Sequence, residues 1–106
     1  MEIDKNKKIK IRPLNDELIE AIDVEVWSPE QPEWFVDWFS NKSDSESELS
    51  LEQINWILNE CDASIDYSKK LMDENNNEDT NSDYAHTLEN AKLIKDFFNQ
   101  LIKSQN

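Results

Sequence analysis

Glycine is absent from this chain of 106 residues. Phosphate-binding loops, dinucleotide-binding turns and nucleophile elbows require glycine, because their backbone adopts positive φ angles or approaches a ligand closely. The sequence therefore excludes the common nucleotide-binding and α/β-hydrolase motifs. Asparagine tolerates the left-handed region better than most other residues, so we expect asparagines to occupy the turn positions.

Cysteine and histidine are nearly absent as well, with one residue of each type, Cys61 and His86. One cysteine allows no disulfide within the chain, and the two residues supply too few ligands for a zinc site. No motif gives His86 a nucleophile to activate, and Cys61 falls on an apolar helix face, where burial suppresses thiolate chemistry. We therefore expect a protein that is not an enzyme and that has no catalytic residue, metal site or cofactor.

Long apolar runs are missing too. No stretch approaches the roughly 20 apolar residues that span a bilayer, and the first ten residues lack the apolar segment of a signal peptide. The scarcity of cysteine is typical of proteins from reducing compartments. These features predict a cytoplasmic protein that does not bind membranes.

Basic residues are few, since 24 Asp and Glu stand against 11 Lys and Arg and give a formal net charge of −13. The N-terminal segment contains five of the basic residues, namely Lys5, Lys7, Lys8, Lys10 and Arg12. The remainder of the chain is therefore even more acidic than the total. A surface of this sign repels nucleic acids and attracts basic proteins. We expect a basic protein partner and no direct binding of nucleic acid, and a homodimer is left open.

The second half of the chain begins with an amphipathic helix. Ser50 and Gln53 have the spacing of a capping box, in which each side chain satisfies a backbone N–H group at the start of a helix. A stripe of buried positions then recurs at spacings of three and four residues, which predicts a helix over residues 51–74. The stripe consists of Leu51, Ile54, Leu58, Cys61, Ile65, Ser68 and Met72.

A second stripe predicts a helix over residues 82–103, capped by Ser82. Its buried positions are Tyr84, Leu88, Ala91, Ile94, Phe98 and Leu101. The polar loop between the two helices is short, which predicts an antiparallel helical hairpin over residues 51–103. We expect Leu58 and Phe98 to face each other across this hairpin.

Residues 1–30 predict a small N-terminal β element with a short helix. Ile9 and Ile11 alternate with basic residues ahead of a proline, which is typical of an edge strand. Asn15 predicts the cap of a helix of at most two turns, and the alternation over residues 22–27 predicts a second strand that pairs with the first. We expect one small domain of mainly α structure, with an α+β fold as the alternative.

The stretch PEWFVDWF, residues 32–39, predicts a short aromatic helix over residues 32–40, with Pro32 at its first position. Its rings share one broad face, because they occur in two pairs at a spacing of four: Trp34, Phe35, Trp38 and Phe39. We expect this helix to pack on the hairpin over Trp56 and Tyr67. The alternative is that the rings are an exposed anchor for a partner. Residues 40–50 predict an acidic, serine-rich linker.

Two features supply the candidate partner-binding residues. The first is a set of carboxylates on the first long helix. Several of them are spaced by nearly whole turns, so that they imitate the phosphates of a nucleic-acid strand. The set consists of Glu52, Glu60, Asp62, Asp66 and Asp73. The second feature is the group of tryptophans Trp34, Trp38 and Trp56.

Three non-enzymatic functions are open on this sequence. The first is an inhibitor that mimics DNA and occupies the basic surface of a nucleic-acid-binding protein or nuclease. The Asn- and Ile-rich composition without glycine favours a phage or mobile-element product for this role. The second is an immunity or antitoxin protein that neutralises one cognate toxin. The third is a structural or adaptor subunit that docks through its aromatic face.

Overall fold

A computed structural model of the chain describes residues 8–26, 31–40, 47–75 and 77–104. The fold is mainly α with one small antiparallel sheet. The elements in chain order are β1 (Lys8–Ile11), α1 (Asp16–Glu25), α2 (Glu33–Ser40), β2 (Ser47–Ser50), α3 (Leu51–Asn75) and α4 (Glu78–Ser104). Among the described residues, no helix has both the length and the apolar character that crossing a membrane requires.

The long helices α3 and α4 form the predicted antiparallel hairpin. The capping box of α3 is confirmed, because the Ser50 hydroxyl accepts the N–H of Gln53 at 3.1 Å and the Gln53 side chain accepts the N–H of Ser50 at 2.9 Å. The antiparallel direction follows from two cross-helix contacts: the hydroxyl groups of Ser68 and Thr87 form a hydrogen bond of 3.2 Å, and Asp62, earlier on α3, forms an ion pair with Lys95, later on α4.

The start of α4 differs from the prediction. Asn77 Oδ1 accepts the backbone N–H of Thr80 at 2.9 Å, and the Thr80 hydroxyl accepts the N–H of Asn77 at 3.3 Å. This reciprocal pair starts the helix at Glu78, so the predicted cap at Ser82 is wrong and Ser82 lies within α4.

The residues buried in the hairpin are close to the predicted stripes. Both helices are slightly rotated about their axes relative to the prediction. Phe98 is fully buried as predicted, but Ile57 rather than Leu58 is fully buried on α3, and Leu58 is half-buried. On α4, Leu88 is 40% exposed and Tyr84 is half-buried. A third helix explains this rotation, because α1 packs against both α3 and α4. Each helix of the hairpin therefore buries a face that contacts two neighbouring helices.

The segment after β1 forms one helix, so the predicted second strand over residues 22–27 is wrong. Asn15 caps α1 as predicted and accepts the N–H of Leu18 at 2.8 Å. The buried residues of α1 recur at helical spacing: Leu18, Ala21, Ile22 and Glu25. A strand would bury Val24 on the same face as Ile22 and Val26, but Val24 is 48% exposed. Residue 27 lies outside the described residues.

The strand that pairs with β1 comes from the segment predicted as a linker. Ile9 and Ile11 are buried on β1, which confirms the alternation predicted there. Leu49 of β2 lies opposite Ile9 in the antiparallel register and joins the same core. The prediction of a linker over residues 40–50 is therefore wrong for β2, and residues 41–46 lie outside the described residues.

The buried face of α4 can be tested by truncating Phe98. Phe98→Ala should lower the free energy of unfolding by about 3 to 5 kcal/mol, because it leaves a cavity at a fully buried site. Leu88→Ala on the same helix should cost less than about 1 kcal/mol, because Leu88 is 40% exposed. Urea unfolding followed by circular dichroism measures both values. Equal losses at the two positions would contradict this orientation of α4.

Candidate functional site

The predicted partner-binding carboxylates all lie on α3, but only part of the set is exposed and without an ion pair to another described residue. Glu52, Asp66 and Asp73 are exposed and form no ion pair with any residue that the structure describes. At 1.5 Å per residue they are separated by about 21 Å and then about 10 Å along the helix. These three residues therefore form the row that the spacing predicts.

The other two members of the set are partly neutralised or covered. Asp62 is exposed but forms an ion pair with Lys95 of α4. Glu60 is half-buried. Asp62 therefore helps to hold the hairpin together, although an ion pair this exposed contributes only modestly to stability.

Two lysines interrupt the row at the C-terminal end of α3. Lys69 and Lys70 are exposed and lie three and four residues after Asp66, a spacing that brings side chains together on a helix. Lys69 also lies four residues before Asp73. The row is therefore not uniformly acidic, because basic side chains lie beside Asp66 and Asp73.

The aromatic helix α2 packs over the start of α3, which confirms that part of the prediction. The Trp34 and Phe35 rings lie 5.5 Å and 5.3 Å from the Trp56 ring, measured between centroids. Trp38 is buried, and its indole N–H donates to the Ser47 hydroxyl of β2 at 2.8 Å. The predicted tryptophans thus join α2, β2 and α3: Trp38 belongs to the core, and the half-buried Trp34 and Trp56 pack against it.

The aromatic layer does not extend to Tyr67 as predicted. Tyr67 is 50% exposed and lies three turns beyond Trp56 on α3. Helix α2 contains 8 residues, so it is only about 12 Å long. It is therefore too short to cover both rings.

Three of the predicted partner-binding residues meet in one surface cavity. The half-buried rings of Trp34 and Trp56 line a cavity of about 310 Å³ together with Glu52, Ser50 and Gln53. An aromatic surface beside an exposed carboxylate suits a cationic or amphipathic side chain of a partner. Asp66 and Asp73 lie along α3 at about 21 Å and 32 Å from Glu52, so they do not belong to this cavity.

The structure also contains a polar centre that the sequence does not reveal. Glu25 of α1 is 2% exposed, and both of its carboxyl oxygens accept hydrogen bonds. The Ser64 hydroxyl of α3 donates to one oxygen at 2.6 Å, and the Asn90 amide of α4 donates to the other at 2.7 Å. Three helices are therefore joined at one buried acid.

The signal that could have revealed this centre is the spacing of Glu25 itself. Glu25 continues the helical spacing of Leu18, Ala21 and Ile22. However, an acid at this position also fits the exposed side of the predicted strand. Every other described Asp and Glu is exposed except the half-buried Glu60. Because acids are rarely buried in proteins, the sequence alone does not predict the burial of Glu25.

The residues that could support catalysis or metal binding are dispersed. His86 is exposed on α4, whereas Cys61 is fully buried on α3. Within the described ranges, no group of three or more His, Cys, Asp and Glu side chains is arranged to hold a metal ion.

No protein-family model, no curated protein and no solved structure matches this chain.

The Glu25 centre can be tested with two substitutions of different chemistry. Glu25→Ala should lower the free energy of unfolding by about 2 to 5 kcal/mol, because Ser64 and the part-buried Asn90 amide lose their acceptor and a cavity remains. Glu25→Gln should cost less than about 1 kcal/mol, since its oxygen can accept from Asn90 and its amide can donate to the Ser64 hydroxyl. Urea unfolding distinguishes the two, and a Gln variant as unstable as the Ala variant would contradict this description.

Cys61 provides a test that depends on pH. Burial raises the pKa of its thiol from 9.0 to about 12, and the neighbouring carboxyl groups act in the same direction against Lys95. The thiol therefore ionises at lower pH in the unfolded chain than in the folded one, so its contribution to stability is lost as pH rises from about 9 to 12. The free energy of unfolding should fall over this range more steeply in the wild type than in Cys61→Ala.

A thiol-specific disulfide reagent provides the corresponding chemical measurement. At pH 8 the folded protein should react far more slowly than the protein in urea, because Cys61 is fully buried and protonated. Rapid labelling of the folded protein would show that Cys61 is accessible and would contradict the pKa argument.

Proposed function

We propose that this protein is a non-enzymatic inhibitor that binds a basic protein and occupies the surface with which that protein binds nucleic acid. It acts in the cytoplasm as a DNA mimic of phage or mobile-element origin. The observation that supports the proposal best is the distribution of acids: in a chain of net charge −13, every described Asp and Glu is exposed except Glu25 and Glu60. The negative charge is thus available to a partner.

The fold presents these charges on rigid elements. Glu52, Asp66 and Asp73 lie on a helix of 25 residues that is packed along α4, so their relative positions are fixed before binding. Fixed charges lose little conformational freedom on association, which favours affinity. They also accelerate encounter with a basic partner through long-range attraction.

An immunity or antitoxin protein would use the same acidic surface against one basic toxin. It differs from a DNA mimic in a testable way, because its partner need not release it when DNA is added. The adaptor hypothesis depends on a different surface, the cavity formed by Trp34, Trp56 and Glu52. Binding through that cavity would depend on apolar contact and would resist salt.

The proposal predicts a particular behaviour in affinity capture. The immobilised protein, incubated with a nuclease-treated bacterial lysate at about 50 mM salt, should retain basic nucleic-acid-binding proteins and release them by about 0.5 M salt, because screening shortens the range of electrostatic attraction. A duplex of about 20 base pairs, added at low salt, should displace the same proteins. Mass spectrometry of the eluted fractions identifies them.

The outcomes separate the three functions. Displacement by duplex DNA supports mimicry, whereas a single basic protein that DNA does not displace indicates an immunity protein. Capture that persists at 0.5 M salt and is lost in Trp34→Ala indicates the adaptor. Retention of no basic protein at low salt would contradict the proposal.

A further inference from the structure

A groove runs along the junction of α1 with the hairpin, and none of the exposed carboxylates Glu52, Asp66 and Asp73, here called the α3 row, lines it. It consists of two cavities. One, of about 290 Å³, is lined by Glu25, Tyr67 and Asp83, and the other, of about 230 Å³, by Glu17, Glu20 and Glu89. Val24 and His86 line both cavities, so the two adjoin each other. We call this surface the α1–α4 groove.

Apolar side chains are concentrated in the α1–α4 groove. The exposed large hydrophobic residues of the described chain are Val24, Val36, Tyr67, Leu88 and Leu93, and three of these five line the groove. They are Val24, Tyr67 and Leu93, with exposed fractions of 48%, 50% and 37%. Exposed apolar groups that converge on one concave surface are typical of an interaction site.

The described residues that line the two cavities include carboxyl groups but neither Lys nor Arg. Helix α1 contains five carboxyl residues and neither Lys nor Arg, and the same absence holds for residues 78–90 of α4. Glu17, Glu20 and Glu89 line the groove directly and are exposed. The groove is therefore more uniformly acidic than the α3 row, which Lys69 and Lys70 interrupt.

The floor of the groove is fixed by the buried hydrogen bonds of Glu25. Glu25 lines one cavity and Asn90 lines the other, and the bond of 2.7 Å between them crosses from α1 to α4. Ser64 holds the second carboxyl oxygen from α3. A groove whose walls are joined in this way keeps its shape without a ligand, which lowers the cost of binding.

We propose that the α1–α4 groove binds a basic amphipathic helical segment of a partner protein. Apolar side chains of that segment contact Val24, Tyr67 and Leu93, and its flanking Lys and Arg side chains pair with Glu17, Glu20 and Glu89. Helix α1 contains 10 residues and is about 15 Å long, so the groove accommodates about three turns of helix. This inference rests on the proposed function: it adds a second contact surface to the α3 row and names the chemistry of the partner segment that this surface binds.

A synthetic peptide tests the groove without knowledge of the natural partner. The probe is a fluorescein-labelled peptide of 18 residues made of Lys, Leu and Ala, with all Leu on one helical face. The control peptide has the same composition with Leu distributed around the helix. Fluorescence anisotropy at low salt should show at least about tenfold tighter binding of the amphipathic peptide, because only its Leu side chains reach the groove together.

Two charge-reversal variants with equal net charge locate the binding surface. Glu17→Lys, Glu20→Lys and Glu89→Lys together should weaken binding of the amphipathic peptide by at least about tenfold, because like charges then face each other. Glu33→Lys, Glu48→Lys and Asp96→Lys together should change it by less than about threefold, because these exposed acids line neither cavity and lie outside the α3 row. Circular dichroism and thermal unfolding confirm that both variants are folded.

A second matched pair tests the apolar contacts. Val24→Ser with Leu93→Ser should weaken binding at both low and high salt, whereas Val36→Ser with Leu88→Ser, which alters exposed apolar residues outside the groove, should leave binding unchanged. All four positions are exposed, so the fold should tolerate these changes.

Several results would overturn the inference. Equal binding of the two peptides, or equal losses in the two charge-reversal variants, would mean that total charge alone attracts basic segments. Failure of the amphipathic peptide to bind would also contradict the inference. Analytical ultracentrifugation showing a dimer that only the groove variants dissociate would assign the groove to a second copy of the chain. The DNA-displacement experiment judges the proposed function separately, because it uses captured proteins and not this peptide.

Discussion

One buried acid, Glu25, determines how the N-terminal part of this protein is placed on its helical hairpin. An isolated carboxyl group is expensive to remove from water, so its burial requires hydrogen-bond partners in fixed positions. Ser64 and Asn90 supply them from α3 and α4 at 2.6 Å and 2.7 Å. Apolar contacts hold α1 against the hairpin but specify its rotation and height poorly, since they are not directional. The hydrogen bonds of Glu25 are directional and therefore fix the position of α1 on the hairpin. The α1–α4 groove forms as a result of this placement.

A second polar contact plays a similar part at the other end of the domain. The indole N–H of Trp38 donates to Ser47, which connects the aromatic helix α2 to β2. Since β2 leads directly into α3, the same contact sets where the sheet and the start of the hairpin meet. The aromatic rings of α2 provide apolar area on the scale of a few kcal/mol each, a large share of the stability of a small domain. The aromatic stretch is therefore explained first by packing, with the edges of Trp34 and Trp56 left at the surface.

The parts of the fold that the sequence predicts are those encoded locally. The capping box at Ser50 and the stripes of α3 and α4 repeat over many turns, so small errors do not obscure them. The strand β2 has the sequence SELS with one strongly apolar residue, and nothing local distinguishes it from a loop. The second half of α1 is not predicted because an acid, Glu25, occupies one of its buried positions, and the hydrogen-bond partners of Glu25 are 39 and 65 residues away. The same limit applies to the site: exposure of Glu52, Asp66 and Asp73 follows from helical position, whereas the α1–α4 groove requires contacts between distant segments.

The distribution of apolar and acidic groups favours a role for the negative charge of this protein beyond solubility. Charge that serves only solubility is expected to be scattered, with exposed apolar residues scattered independently of it. Here Val24, Tyr67 and Leu93 stay exposed between helices that contribute carboxylates but no Lys or Arg over α1 and the first half of α4. Neighbouring carboxylates repel one another, which opposes folding, and the exposed apolar groups forgo the stabilisation that burial would give. The basic amphipathic partner that we propose would neutralise the acids and cover the apolar groups in a single contact.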